Sequence, residues 1–173
     1  MNTPNGDQSG TGGGLRYLTE QAALSMVNQE ESHSCQAACA RQLLKDAGVE
    51  ISEAELVAQI GYYEGIGTTT ERTATVLSEL HPGLHYSGGE INELALAIIC
   101  SRDPWIANLR TIRGTVHSVI VDRMESGIIH VRDPWGHDGP GSGTGTDAAI
   151  KLADFLEHWH WIYYTGLIPV GRK

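Results

Sequence analysis

Hydrophobic positions follow a helical rhythm in the first part of the chain and a strand rhythm in the second. From Ser34 to Ala47, the residues Cys39, Leu43 and Ala47 share one stripe with Ala40 and Leu44 beside it, which predicts a helix, and Gly48 follows where a helix C′ glycine stands. Ser52-Glu53-Ala54-Glu55 reads as a capping box that opens a helix running to about Gly61. Thr68-Thr69-Thr70-Glu71 reads as a second one, and its helix carries Thr73, Val76, Leu77 and Leu80 at helical spacing before Pro82. Ile91, Leu94, Ala95, Ile98 and Ile99 predict a fourth helix from about Ile91 to Ser101, and Leu15 to Asn28 has a weak helical pattern. After Pro104 the period shortens. Trp105 to Leu109 is a short strand, and Val116 to Arg123, β-branched and apolar on both faces, reads as a central strand. Glu125-Ser126-Gly127 is a turn, and Ile128 to Arg132 is the returning arm of a hairpin that ends at Asp133-Pro134. A Gly-rich loop (His137 to Asp147), a short helix (Lys151 to His158) and a last strand (Trp161 to Val170) complete the chain.

Helices first and strands second predict an α+β fold with two segregated halves and a groove between them. The 173 residues suit one domain, placed at 15–173, after a polar Gly-rich tail or linker at 1–14 that ends in Gly12-Gly13-Gly14. The net charge of −9, with 12 scattered Lys and Arg, argues against nucleic acid or an anionic membrane as partner. Three cysteines are an odd number, so a disulfide framework is not the organising idea and a reducing compartment fits better. The N-terminus lacks the basic and apolar regions of a secretory signal, and the most apolar run, Leu94 to Cys100, is too short to span a bilayer. These features predict a protein that is soluble where it works, with a cytoplasmic site of action, carried by a larger parent chain or another machine if it leaves a cell.

Chemistry gathers around Cys35. Ser34 is a good N-cap residue, which sets Cys35 in the first turn of its helix, where the helix dipole favours the thiolate. Cys39 and Cys100 lie on apolar stripes and read as buried small hydrophobes. His117 opens the central strand, and Asp133 closes its hairpin partner sixteen residues later, so an antiparallel pairing brings the two together. A thiol, an imidazole base and a carboxylate that orients it make a nucleophilic site for acyl transfer. The Cys35 N–H and the Gln29 side-chain amide are candidate donors to the oxyanion.

Gln29, Cys35 six residues on in Cys35-Gln36-Ala37-Ala38-Cys39, His117 before an apolar strand, and Val131-Arg132-Asp133-Pro134-Trp135-Gly136 together resemble the double-glycine leader peptidases. These are papain-like cysteine peptidase domains that process bacteriocins, and the resemblance covers about residues 24 to 136. It implies a papain-like fold, with a helical half that carries the nucleophile helix packed on an antiparallel β half. It implies Gln29 as oxyanion residue, Cys35 as nucleophile, His117 as base and Asp133 as orienter, with no cofactor and no metal. It also implies cleavage after Gly-Gly in a protein or peptide substrate with that pair exposed. Two departures stand out: Gln36 occupies the usual glycine after the nucleophile, which bears on the subsites near the scissile bond, and no exporter regions are present. Trp135 is a candidate wall of the site.

By the same resemblance, interbacterial toxin effectors are plausible parents of such a domain, with a cognate immunity protein that blocks the groove. Gly12-Gly13-Gly14 is either a linker or a self-release site. Two other classes fit the same residues: a thiol acyl-transfer enzyme of the deamidase or transglutaminase type, and a non-catalytic peptide-binding domain of the same fold. His158-Trp159-His160 lacks an evident third ligand for a metal. The Gly-rich segment Gly139 to Gly145 lacks the lysine of a phosphate loop, and reads as a flap over the groove or a long surface loop.

Overall fold

The computed structural model describes residues 14–62 and 67–173. The predicted tail lies outside the described residues except for Gly14, whose carbonyl accepts from the Ile112 N–H at 3.1 Å. The chain then enters strand β1 (Tyr17–Val27), where a weak helix was predicted. Its residues are helix formers, but it lies at the rim of a sheet, paired antiparallel with β6 (Thr144–Lys151). An edge strand exposed on most of its positions shows no clean period of two, and pairing overrides propensity.

Three helices follow. Helix α1 (Cys35–Asp46) ends as its sequence predicts: Gly48 adopts φ +82°, its N–H bonds Lys45 O, and the Val49 N–H bonds Leu44 O. Helix α2 (Glu53–Ile60) begins with the predicted reciprocal capping box of Ser52 and Glu55. Helix α3 (Thr70–Leu80) does not: Thr69 is its N-cap residue but makes no side-chain cap bond. The neighbouring hydroxyls are engaged elsewhere, Thr68 donating to Gln36 Oε1 and Thr70 accepting from Gln36 and Asn108. Strand β2 (Leu84–Glu90), which the pattern did not predict, comes next.

The predicted fourth helix shrinks to a single 3₁₀ turn (Glu93–Ala95) and the short α4 (Leu96–Cys100). Its predicted stripe faces water at Leu94 and Ile98, which are 82% and 57% exposed, while Ile91, Leu96 and Cys100 are buried. Strands β3 (Trp105–Arg110), β4 (Val116–Glu125) and β5 (Ile128–Asp133) follow, with a Ser126-Gly127 turn at positive φ in the hairpin. Strand β6 takes up the end of the predicted loop, and helix α5 (Leu152–His160) and strand β7 (Thr165–Arg172) close the chain.

The seven strands of the described residues form one antiparallel sheet in the order β1-β6-β5-β4-β3-β7-β2, so β4 is its middle strand. Period-two alternation splits its residues between two cores. Ile106, Ile120 and Leu167 pack with α1, α2 and α3, whereas Trp105, Ala107, Val119, Val121, Ile129 and Val131 pack with α4 and α5 around Phe155 and Trp159. The sheet is therefore covered on both faces, and the two halves are layered rather than set side by side.

Candidate active site

Helix α1 lies across the middle strand, with the Cys39 thiol 3.4 Å from the Ser118 carbonyl. That crossing carries the N-terminal end of the helix to the beginning of β4. Cys35 is partly exposed there, and its thiol shares a groove with the His117 imidazole and is electrostatically coupled to it. Ser34 does not cap the helix: its hydroxyl accepts from the Glu31 N–H and donates to the Glu31 carbonyl. The first-turn N–H groups of α1 are left without a side-chain cap beside the thiol.

Ile120 pairs with Arg132 across β4 and β5, which sets Asp133 opposite Val119 and makes His117 its diagonal neighbour on the same face. The imidazole spans the diagonal, with Nε2 2.6 Å from Asp133 Oδ1. Nδ1 is then the ring nitrogen left for the sulfur. Asp133 is fully buried; Oδ1 also accepts from the Trp135 N–H at 2.9 Å, and Oδ2 accepts from the Tyr17 hydroxyl at 2.8 Å. No local signal marks Tyr17 in the sequence, because the strand that carries it has a weak helical pattern.

Electrostatics follow from this burial. Burial pushes the His117 imidazolium down, but the charge and hydrogen bond of Asp133, with the Cys35 thiol, outweigh it and raise its pKa to about 10. Burial pushes the Cys35 thiol up, but the His117 interactions and the bonds to Ser118 bring it below the ordinary thiol range. Both shifts favour a thiolate–imidazolium pair. Cys39, one turn along, is pushed well up by burial and by the neighbouring Cys35, so it stays a thiol.

Around the sulfur a groove of about 320 Å³ is lined by residues that include Ser32, His33, Gln36, Asn108, Val116 and Trp135. Trp135 packs edge-to-face on His117, with ring centroids 6.3 Å apart. Gln36 forms part of the wall, but its amide is committed: Oε1 accepts from Thr73 at 2.8 Å and Nε2 donates to Asn108 and Thr70. It joins α1, α3 and β3 in one polar network that also takes in Ser118 through Asn108. The Gln36 bonds in it reach 32 to 72 residues along the chain and left no local motif.

Gln29 is fully buried and is not among the groove-lining residues. Its Nε2 donates to the Glu31 carbonyl at 2.7 Å, which fixes the amide orientation and leaves one N–H over, while Oε1 has no partner among the described residues. Its backbone is held by Pro134 and Gly141. Asn28 beside it donates to the carbonyls of Pro134, Trp135 and Gly139 and accepts from the N–H groups of Ser142 and Gly143. The Gly-rich segment is thus stapled beside Asn28 and Gln29, and none of residues 139–145 lines the groove, which corrects its reading as a flap. Gly145 lies against Asp133: a Cβ there would stand 2.5 Å from the Asp133 carbonyl and from Met26 Cγ, so the close approach of β1, β5 and β6 requires glycine.

The other sequence candidates lie elsewhere. His158 bonds the Arg110 carbonyl and the Arg16 N–H, His160 bonds the Tyr164 hydroxyl, and the described residues contain no metal-binding cluster. The described residues also contain no helix long and apolar enough to cross a membrane.

No protein-family model matches the chain, and no curated protein matches it. Solved structures do. The peptidase domain of Streptococcus ComA, a bi-functional ABC transporter involved in quorum sensing, superposes with a TM-score of 0.64 at 15% identity, covering 84% of this chain and 97% of that one. A double glycine motif protease from an AMS/PCAT transporter, solved with its leader peptide, gives 0.61 at 14% identity, covering 90% and 94%. A cysteine protease from Carica candamarcensis gives 0.60 at 13% identity, covering 90% and 99%. At such identities the likeness is one of fold, and the chain has the papain-like peptidase fold.

Proposed function

We propose that this protein is a cysteine endopeptidase that cuts protein or peptide substrates through an acyl-enzyme on Cys35. The observation that carries it is the placing of the Cys35 thiol in one groove with His117, whose Nε2 is 2.6 Å from buried Asp133. His117 holds the thiol proton in the resting ion pair. The Cys35 thiolate attacks the scissile carbonyl, and the Cys35 N–H with the spare Gln29 N–H receives the oxyanion, after a small shift of the Gln29 side chain toward the groove. His117 then gives its proton to the leaving amine, and water hydrolyses the thioester. Asp133 keeps the imidazole in the tautomer and orientation this needs, and Trp135 shields the pair from solvent.

Cleavage after Gly-Gly belongs to the same proposal. The motif resemblance supports it, as does a similar fold in a double glycine motif protease solved with a leader peptide. Gln36 would narrow the groove beside the scissile bond and favour residues without side chains.

Peptides with a central Gly-Gly, incubated with the unmodified protein and with Cys35→Ala and followed by mass spectrometry, test the assignment. The expected result is a backbone cut with gain of water that Cys35→Ala abolishes. A near-unit mass change on glutamine with an intact backbone would instead make the chain a deamidase, and binding without turnover would make it a peptide-binding domain. The effector setting is a further proposal, resting on the sequence alone. Its test is growth of bacteria expressing the domain internally: Cys35-dependent arrest supports it, and growth equal to Cys35→Ala removes it.

A further inference from the structure

A second depression, of about 480 Å³, adjoins the groove and shares Ser32 and His33 with it. Its lining contains three carboxylates, Glu30, Glu31 and Glu53, and among the described residues no lysine or arginine. Glu30 is already paired with Arg41 at 3.1 Å. Glu53 differs: it is 2% exposed, its Oε1 accepts from the Glu30 N–H at 3.0 Å, and its Oε2 has no hydrogen-bond partner among the described residues. The Ser34 hydroxyl lies close by, but it donates its proton to the Glu31 carbonyl. A buried carboxylate oxygen without a donor is costly. The nearby walls supply what a long cationic side chain requires: Ala54, Val57 and Tyr62 are apolar surface for its methylenes, and Glu53 and Glu31 are acceptors for its head.

We propose that this depression is a specificity subsite that takes a lysine or arginine side chain of the substrate, held by Glu53 with Glu31 at the rim. The proposal rests on the endopeptidase assignment, because the shared Ser32 and His33 make the subsite an extension of the path on which the peptide reaches Cys35. A peptide anchored there sets a basic residue within a few positions of the scissile bond. Burial raises the Glu53 carboxyl above its ordinary range, and a bound cation offsets that penalty.

The test separates binding from cleavage. Dye-labelled peptides with a central Gly-Gly carry one lysine at each of four positions on either side in turn, with glutamine at that position in the controls. Their binding to Cys35→Ala protein is read by fluorescence anisotropy. The expected result is that at one or two positions lysine improves Kd about tenfold or more over glutamine, as a charge-assisted hydrogen bond does, and that salt erodes the gain. Adding Glu53→Gln, which keeps the acceptor for the Glu30 N–H, abolishes the gain, so that lysine and glutamine peptides bind that variant alike. A melting curve checks that variant's fold, and the exposed Glu31→Gln should remove part of the gain if Glu53→Gln does not fold. Equal binding of lysine and glutamine peptides at every position, or no binding of either, overturns the subsite. Cleavage by the unmodified protein is scored separately: lysine-dependent binding without any cut leaves the subsite standing and removes the peptidase assignment, and cutting without lysine preference does the reverse.

Discussion

Removing one oxygen atom, in Tyr17→Phe, tests whether the N-terminal strand serves the site. The Tyr17 hydroxyl is the one donor to Asp133 Oδ2 among the described hydrogen bonds, and Oδ1 keeps His117 and the Trp135 N–H. Asp133 is fully buried, so water does not readily replace the lost donor. A hydrogen bond to a charged group contributes about 1.5–3 kcal/mol. For a domain of this length, about 2–4 °C of Tm accompanies each kcal/mol, which places the expected loss at roughly 3–12 °C. The phenyl ring keeps the packing, so little of that loss is cavity. The catalytic effect should be smaller than the removal of Asp133 itself, because the imidazole keeps its own bond: about tenfold in kcat for Tyr17→Phe, with KM unchanged, against a far larger loss for Asp133→Ala. Burial, and then the charge and hydrogen bond of Asp133, push the Tyr17 phenol well above its ordinary range, so the donor persists through the working pH range. Differential scanning calorimetry and a fluorogenic peptide assay on both variants give the two numbers. An unchanged Tm together with an unchanged kcat would show that the tyrosine merely lies beside the carboxylate, and the account of how Asp133 is held would be wrong.

The ion pair sets the pH dependence. With the Cys35 thiol lowered and His117 raised to about 10, kcat/KM should hold a plateau through neutrality and decline near 10, where the imidazolium that protonates the leaving amine is lost, whereas iodoacetamide alkylation should already be fast at neutral pH and persist above 10 because the sulfur stays a thiolate; a single alkylation step at an ordinary thiol pKa would contradict the pair. For stability, the raised His117 pKa means a contribution present in full below about 6.5 and lost as pH rises toward 10, which Tm measured across that range should follow. Glu20, half-buried beside Asp133, is pushed up to about 7 by burial and then by the Asp133 charge, against the Thr146 hydroxyl. The folded state then binds the extra proton between about 4.5 and 7, so stability falls as pH rises through that window; Glu20→Gln should raise Tm by a few degrees at pH 8 and barely change it at pH 4.5, and an equal effect at both would refute the carboxylate's part in it.

What the sequence disclosed and what it withheld divide along the range of the interactions. The helix α1 stripe, its Gly48 end and the Ser52–Glu55 capping box are made by residues within a few positions of one another, and they appear in the structure as the pattern predicts. The proximity of His117 and Asp133 was also legible, since two residues sixteen apart in one hairpin have their register set locally, and a slip by one would put them on opposite faces. Strand β1 was not legible, because its partner β6 lies more than a hundred residues away and its exposed face carries no apolar alternation. With it went Tyr17, Glu20 and the setting of Asp133. Leu94 and Ile98 misled for the opposite reason: helical spacing in a short segment is satisfied by chance, and only packing decides which side is covered. Gln36 shows the same logic inside the groove. Read locally it is a departure from the small residue expected after the nucleophile. In the fold its amide joins Thr73, Asn108 and Thr70, so the larger side chain ties helix α1 to α3 and to the strand beside His117. The resemblance therefore pointed to residues that the fold brings together at His117 and Asp133, whereas the groups that hold them come from strands and helices distant in sequence, and those are the features in which this chain departs from a pattern of short motifs.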